Sequence, residues 1–243
     1  MHLLRIDEVA AAIGLGGHEL VALVGGGGKT TTLFALGRAL GGRAGTGRVV
    51  LTTTTKMSSQ RTEGLPVLCN PAMSDIAAIA GPTLVWQAED GPKALGVPPG
   101  SVDAWFDAVD HVVVEADGAR RHPFKAPANY EPVIPARTTT VIAMIGADAL
   151  DQVISERCHR PVLVAAVAGC GSDDRLTPER AARVLLSGDG SRKSVPCGAR
   201  FVVVVTKVGD NNESSVARLV SALNGRVDNC VTVAFDPSLH PHA

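Results

Sequence analysis

A run of four glycines, a lysine and three threonines stands between two apolar segments near the amino terminus. The sequence predicts a buried strand from Leu20 to Val24 and a helix from Thr30 to Leu40. The glycine loop supplies N–H groups, and the helix supplies its N-terminus. Lys29 adds an ammonium group and Thr30 a hydroxyl. Together these are the groups that bind nucleotide phosphates and Mg²⁺. We therefore predict a phosphate-binding loop whose contacts are Gly25, Gly26, Gly27, Gly28, Lys29, Thr30 and Thr31.

The loop is shorter than the common eight-residue phosphate loop. Leu23 stands where that pattern has its first glycine, so the match is G-x-x-G-K-T from Gly25 to Thr30. A shortened loop of this kind resembles the nucleotide loop of the Mur ligases, which use ATP to activate a carboxylate. Ligation is therefore open as a reaction, beside hydrolysis and phosphoryl transfer.

The rest of the chain alternates apolar runs with segments compatible with helices. Near-continuous Val and Ile predicts strands covered on both faces, and alternation with helices predicts a three-layer α/β sandwich with a mainly parallel sheet, as in P-loop NTPases. We expect one domain over residues 1–243, a small helical subdomain at 148–187, and surface loops at 88–100 and 188–198. The predicted strands are Val49 to Thr52, Thr83 to Trp86, His111 to Glu115, Thr140 to Ile145 and Phe201 to Thr206, and the further helices are Asp75 to Ala80, Arg160 to Ala168, Pro178 to Leu186 (with Thr177 as N-cap) and Glu213 to Leu223.

Two carboxylates end the His111 strand. Ligands of open parallel sheets bind outside the carboxyl ends of the strands, so Glu115 and Asp117 are expected near the glycine loop. Side chains alternate along a strand, so this spacing places both carboxylates on one face. We predict that Thr30 and one or both carboxylates hold Mg²⁺.

A loop rich in proline and cations follows these carboxylates, from Gly118 to Pro135. Arg120, Arg121 and Lys125 would stand beside the phosphate site, where they would bind an anionic second substrate or the transferring phosphoryl group. The predicted catalytic residues are Lys29, Asp117, Arg120 and Lys125.

Two further strand ends carry polar residues. Four threonines and Lys56 follow the second strand, which favours a phosphate or substrate contact through Thr54 and Lys56. After the Phe201 strand, Thr206-Lys207-Val208-Gly209-Asp210 is similar to the N-K-x-D signature of guanine recognition, although threonine replaces asparagine and the aspartate comes one residue late. We predict nucleotide contacts at Lys207 and Asp210, and both ATP and GTP stay open.

Composition limits the partners. The net charge is −1 and aromatic residues make up 3%, which leaves neither the basic excess nor the stacking surface that nucleic-acid binding needs. No apolar stretch reaches the length of a membrane span, and the five cysteines are scattered without a metal-binding spacing. We expect a cytoplasmic protein with reduced thiols that binds neither nucleic acid nor membranes.

Four segments together resemble the YqeC family of selenium-dependent hydroxylase accessory proteins: GGGGKTT at 25–31, TTTTKM at 52–57, EADGARRHPFKAPANYEPVIP at 115–135 and CHRP at 158–161. The resemblance implies nucleotide contacts at Gly25, Gly28, Lys29 and Thr30, and a site wall of Thr54, Lys56, Glu115, Asp117, Arg120, Lys125, Glu131 and Arg160. Where the family reads E-A-D-G-S, this chain has Ala119 in place of the serine.

The resemblance implies a role in maturing a selenium-dependent molybdenum hydroxylase, with that apo-enzyme or its pterin cofactor as partner. The expected function is a nucleotide-binding protein, an NTPase that uses Mg²⁺ and ATP (or GTP). Two alternatives share the same phosphate loop. One is a small-molecule kinase or ATP-dependent ligase, and the other is a nucleotide-gated chaperone or a carrier of molybdopterin dinucleotide.

Overall fold

A computed structural model describes residues 3–42 and 47–236 of the chain. Its strands are β1 Glu19–Gly25, β2 Val49–Thr53, β3 Lys56–Ser58, β4 Val67–Cys69, β5 Thr83–Trp86, β6 Ala88–Asp90, β7 Lys93–Leu95, β8 His111–Glu115, β9 Phe124–Lys125, β10 Thr140–Gly146, β11 Cys158–His159, β12 Arg200–Val208 and β13 Asn229–Ala234. Its α-helices are α1 Val9–Ala12, α2 Lys29–Leu40, α3 Met73–Ala77, α4 Pro99–Trp105, α5 Ile154–Arg157, α6 Pro161–Ala168, α7 Pro178–Leu186 and α8 Glu213–Leu223. Two 3₁₀ helices cover Ile6–Glu8 and Ala147–Ala149.

The described residues form an eight-stranded sheet in the order β13-β12-β10-β1-β8-β2-β5-β4. All neighbouring strands in it are parallel. The strand that leads into the glycine loop, β1, lies between β8 and β10, so the carboxyl ends of all three meet at one edge. Smaller sheets join β3, β7 and β6 in antiparallel fashion and β9 with β11 in parallel.

Alternating side chains of the central strands bury themselves on opposite faces of the sheet. On β1, Leu20, Ala22 and Val24 belong to one hydrophobic core, which also takes in α4, α6, α7 and α8. Val21 and Leu23 belong to a second core, which takes in α1 and α2. Helices therefore cover both faces, and the predicted three-layer α/β sandwich with a mainly parallel sheet is confirmed.

The predicted central strands are confirmed, with ends shifted by at most two residues. The edge strands β4 and β13 were not predicted. No residue of β4 is buried, and in β13 only Val231, Thr232 and Val233 are, so neither strand has the long apolar run that marks a central strand. The prediction of a surface loop over 88–100 is wrong, since this segment contains β6, β7 and the first residues of α4. Only Ala94 of β6 and β7 is buried, so the hairpin has almost no hydrophobic signal.

The predicted helices are confirmed with small changes. Helix α7 covers the predicted Pro178–Leu186, and its N-cap Thr177 accepts a hydrogen bond from the backbone N–H of Arg180 at 3.3 Å. Helix α3 covers Met73–Ala77, so it begins two residues and ends three residues earlier than the predicted Asp75 to Ala80. Helix α6 begins at Pro161, because Arg160 has a left-handed backbone conformation. Residues 188–198 form turns, as the loop prediction requires.

The segment from 148 to 187 holds α5, α6 and α7. Side chains from these helices, among them Ile154, Val164 and Leu185, belong to the same hydrophobic core as alternate residues of the central strands. The segment thus packs directly on one face of the sheet. No helix in the described parts of the chain combines the length and apolar character that crossing a bilayer requires.

The N-cap hydrogen bond of α7 can be tested by mutation. We expect Thr177→Ala to lower the free energy of unfolding by about 1 kcal/mol, because the N-terminal N–H of Arg180 loses its acceptor. Thr177→Ser keeps the hydroxyl and is the matched control. Chemical denaturation of the three proteins measures the difference, and equal losses in both variants would contradict the capping role.

Candidate functional site

The glycine loop packs tightly against two neighbouring segments. A Cβ atom on Gly26 would lie 2.6 Å from the carbonyl oxygen of His122, and one on Gly27 would lie 2.2 Å from the backbone nitrogen of Gly146. Gly27 also has a φ of +81°, which favours glycine. Hydrogen bonds fix the same contacts, from Gly26 N–H to the Met144 carbonyl (3.0 Å) and from Gly27 N–H to the His122 carbonyl (3.2 Å).

Helix α2 begins immediately after these glycines. Its first intrahelical hydrogen bond runs from Thr32 N–H to the carbonyl oxygen of Gly28, at 2.9 Å. The N–H groups of Lys29, Thr30 and Thr31 precede that bond, and such groups at a helix N-terminus are the usual donors to phosphate oxygens. The predicted order of strand, glycine loop and helix is therefore present.

Lys29 is folded back into the loop and buried. Its ammonium group donates to the carbonyl oxygen of Gly25 at 2.6 Å and lies 3.2 Å from Asp117 Oδ1 and 3.8 Å from Glu115 Oε1. Burial acts to lower the pKa of Lys29, but the carboxylates of Asp117 and then Glu115 outweigh it and hold the pKa above its ordinary value. Lys29 therefore stays charged although it is buried.

Thr30 and the two carboxylates form the rest of the centre. The Thr30 hydroxyl donates to Glu115 Oε2 at 2.9 Å. Burial raises the pKa of Glu115, against the opposing effect of Lys29 and of the Thr30 hydroxyl. Asp117 Oδ2 accepts from Gly25 N–H at 3.0 Å, whereas its Oδ1 is buried without a hydrogen bond. Both carboxylates face Lys29, as their spacing predicted.

These residues fit Mg²⁺. A hydroxyl, a carboxylate 2.9 Å away and a second buried carboxylate are hard oxygen ligands of the type that Mg²⁺ takes together with water and phosphate. Among the described residues, no group of three or more His, Cys, Asp and Glu side chains is placed to hold a metal ion.

A chain of ion pairs leads from this centre to the surface. Lys125 is 1% exposed, and its ammonium lies 3.2 Å from Asp117 Oδ2 and 2.6 Å from Glu131 Oε2. Arg160 donates to the same Glu131 oxygen at 2.6 Å, and it contacts the exposed ring of Tyr130. The pKa of Glu131 lies below its ordinary value because hydrogen bonds from Arg160 and Lys125 outweigh the opposing, larger single effect of burial.

The other predicted site residues have separate surroundings. The Thr54 hydroxyl donates to the carbonyl oxygen of Val133 at 2.7 Å. Lys56 lies in the small antiparallel sheet, where it is exposed and 3.8 Å from Asp90. Arg120 and Asp210 are exposed. The structure thus joins Lys29, Thr30, Glu115, Asp117, Lys125, Glu131 and Arg160 in one connected group.

Sequence reasoning missed Asp148. It follows β10, and its Oδ2 accepts from Lys207 at 3.0 Å, while its Oδ1 is buried without a hydrogen bond. Thr206, next to Lys207, donates its hydroxyl to the carbonyl oxygen of Gly27 at 2.5 Å. The rule that strand ends carry the site would have found Asp148 had it been applied to β10 as well as to the other strands.

Comparison with known proteins adds two findings. A family model described as "YqeC protein" matches residues 21–162, which include the glycine loop, both carboxylates and Arg160. A protein of Escherichia coli (strain K12), described as "Uncharacterized protein YqeC", is 34% identical over 213 residues, which cover 83% of this chain and 82% of the relative.

The buried position of Lys125 predicts a large loss of stability on its removal. We expect Lys125→Met to lower the free energy of unfolding by about 3 to 5 kcal/mol, because Glu131 and Asp117 lose a buried partner. Lys56→Met is the matched control, and its exposed pair predicts a change below about 1 kcal/mol. Urea denaturation measures both, and similar losses would contradict the buried network.

Glu131 predicts a pH dependence. Because its pKa in the folded protein is below the ordinary 4.5, its ionised form contributes stability above that value, and this contribution is lost as pH falls through the folded-state pKa. Glu131→Gln should therefore be destabilised at pH 7, with a gap to wild type that closes as pH falls through the folded-state pKa of Glu131. Glu179→Gln removes a half-exposed partner of Arg218 and should show a small gap throughout. A Glu131→Gln gap that widens on acidification would contradict the assignment.

Proposed function

The chain belongs to the YqeC family, and from the geometry of its glycine-loop site we propose that it binds a magnesium nucleoside triphosphate and hydrolyses or transfers the γ-phosphoryl group. One observation carries the proposal. Lys29 and Thr30 at the start of α2 meet Glu115 and Asp117 at the end of β8, with contacts of 2.9 to 3.8 Å. An ammonium, a hydroxyl and two carboxylates at a helix N-terminus are the parts that phosphoryl transfer on a phosphate loop uses.

Each residue has a distinct role in this proposal. Lys29 would turn from the Gly25 carbonyl towards the β- and γ-phosphates, which exchanges one buried partner for another of higher charge. The Thr30 hydroxyl and Glu115 would hold Mg²⁺ in place of their mutual hydrogen bond, with Asp117 as the second carboxylate. When bound, Mg²⁺ neutralises charge that develops on the phosphate oxygens. The N–H groups at the start of α2 would bind the phosphate oxygens.

The nucleotide is proposed as ATP, with GTP as the alternative. Lys207, near the end of β12, and Asp148, just after β10, lie on the side of β1 opposite to the carboxylates of β8. Thr206 ties this region to the glycine loop through the Gly27 carbonyl. We propose that the base binds here, at Lys207, with Asp210 following in the same turn.

A nucleotide-gated docking protein is the second candidate, and the chain of ion pairs favours it. Movement of Lys29 towards phosphate changes the charge facing Asp117, and Asp117 is linked through Lys125 and Glu131 to Arg160 beside the 74% exposed Tyr130. We place either activity in the maturation of a selenium-dependent molybdenum hydroxylase, because the 115–135 motif resembles that of its accessory proteins. An apo-hydroxylase that stimulates phosphate release would support the docking role.

Calorimetry with ATP and GTP, each with and without Mg²⁺, tests nucleotide binding. We expect Lys29→Ala to weaken binding at least tenfold, since a charged hydrogen bond contributes about 1.5 to 3 kcal/mol. Glu115→Gln should remove most of the dependence on Mg²⁺ and most phosphate release. Lys93→Ala, an exposed lysine on β7, is the control and should bind as wild type does.

Circular dichroism of the same samples confirms that each variant is folded. If wild type binds neither nucleotide, or if folded Lys29→Ala binds as well as Lys93→Ala, the glycine loop is not the phosphate site and the proposal fails.

A further inference from the structure

A cationic surface lies beside the glycine loop. Arg120, Arg121 and Arg157 are exposed, and none of them forms an ion pair with the described residues. Arg120 and Arg121 come three and four residues after Asp117, in the short segment that leads to the His122 carbonyl bound by Gly27 N–H. No acidic side chain among the described residues therefore neutralises the positive charge of these arginines.

The ribbon of β9 and β11 fixes the geometry of this surface. It pairs Lys125 with His159 in register, and it stacks the His122 ring on the His159 ring with centroids 5.8 Å apart and planes 19° apart. The segment before β9, which carries Arg120 and Arg121, thus meets β11 where the two imidazoles stack. Arg160 follows β11 directly and pairs with Glu131.

Several cations converge on His159. Its pKa is lowered to about 4, first by burial and then by Arg160, Lys125, His122 and Arg120. Asp117 and Glu131 compensate Lys125, and Glu131 also compensates Arg160. Arg120, which also acts on His159, has no carboxylate partner among the described residues, so the space beside the two rings has a positive potential.

Three arginines of this surface have an unusual backbone conformation. Arg120 and Arg121 have φ angles of +48° and +65°, in the left-handed region that non-glycine residues rarely adopt. Arg160 shares this conformation, with a φ of +57°. Three such arginines in a single cluster are an arrangement that the surrounding structure has to impose, and such strain concentrates at functional sites.

We propose that Arg120 and Arg121, together with the stacked His122 and His159, bind an oxyanion of the second substrate, a carboxylate or phosphate group separate from the phosphates of the nucleotide. The inference deepens the proposed function and relies on it for the reaction. The anion would be the phosphoryl acceptor, and arginine is the side chain best suited to bind such groups in a planar, two-point contact.

The chemistry of the surroundings favours an acceptor that is already ionised. His159 is neutral at pH 7, and the two carboxylates that pair with Lys125, Asp117 and Glu131, already face cations. A hydroxyl acceptor would need a base to deprotonate it. A carboxylate or phosphate oxygen needs none. Its oxygen forms a bond to the γ-phosphorus, the bond from that phosphorus to the bridging oxygen breaks, and the nucleoside diphosphate leaves without a proton transfer.

Inorganic phosphate is the probe, and the His159 imidazole resonance, assigned with His159→Gln, is the readout. At constant ionic strength and with Mg²⁺-ADP saturating the glycine loop, phosphate should shift the His159 resonance and raise its pKa, because an anion offsets the nearby cations. The Arg120→Gln/Arg121→Gln double variant should require at least tenfold more phosphate. Arg218→Gln, on the distant α8 and paired with Glu179, is the control and should titrate as wild type does.

Three results would overturn the site: no response of His159 to phosphate, competition between phosphate and Mg²⁺-ADP, or equal titration of the double variant and Arg218→Gln. The site and the proposed function can fail separately. If calorimetry detects no nucleotide, the same titration without ADP, in Lys29→Ala, still tests the site. A shift that depends on Arg120 and Arg121 would then support an anion site in a protein that is not an NTPase.

Discussion

The buried ion pair between Lys29 and Asp117 organises this protein. The lysine comes from the first turn of α2 and the carboxylate from the segment after β8, so the pair joins a helix, a glycine loop and a strand end at one point. Two buried charges in this position are costly unless further groups satisfy them. Gly25 N–H and Lys125 satisfy Asp117, and the Gly25 carbonyl satisfies Lys29.

The parallel sheet makes this convergence possible. With β1 between β8 and β10, the glycine loop is flanked on one side by Glu115 and Asp117, and on the other by the strand end that carries Gly146 and Asp148. The loop approaches β10 so closely that any side chain on Gly27 would collide with backbone. The order of the strands and the glycines of the loop therefore both favour the close packing of the loop against β10.

Much of this was readable in the sequence because the signals are local. Near-continuous Val and Ile predicts a central strand wherever it occurs, and strand, glycines and Lys29 are contiguous. The burial of Lys125 was not readable, because its partners Asp117 and Glu131 meet it only after the proline-rich segment folds back. The stacked imidazoles had no signal either, since His122 and His159 are joined by a ribbon of two residues per strand. Edge strands and the exposed hairpin of β6 and β7 lack the hydrophobic run on which strand prediction depends.

One oxygen atom, Oε2 of Glu131, accepts from both Lys125 and Arg160, each at 2.6 Å. The two cations compete for this one acceptor. If a ligand moves Arg160 away from Glu131, Lys125 interacts more strongly with Glu131 and less strongly with Asp117. A molecule that binds the surface formed by Tyr130 and Arg160 would then alter the affinity of the glycine loop for the nucleotide proposed to bind there. Thermodynamic linkage requires the reverse effect to be equal in size, so occupancy of the loop would retune that surface by the same factor.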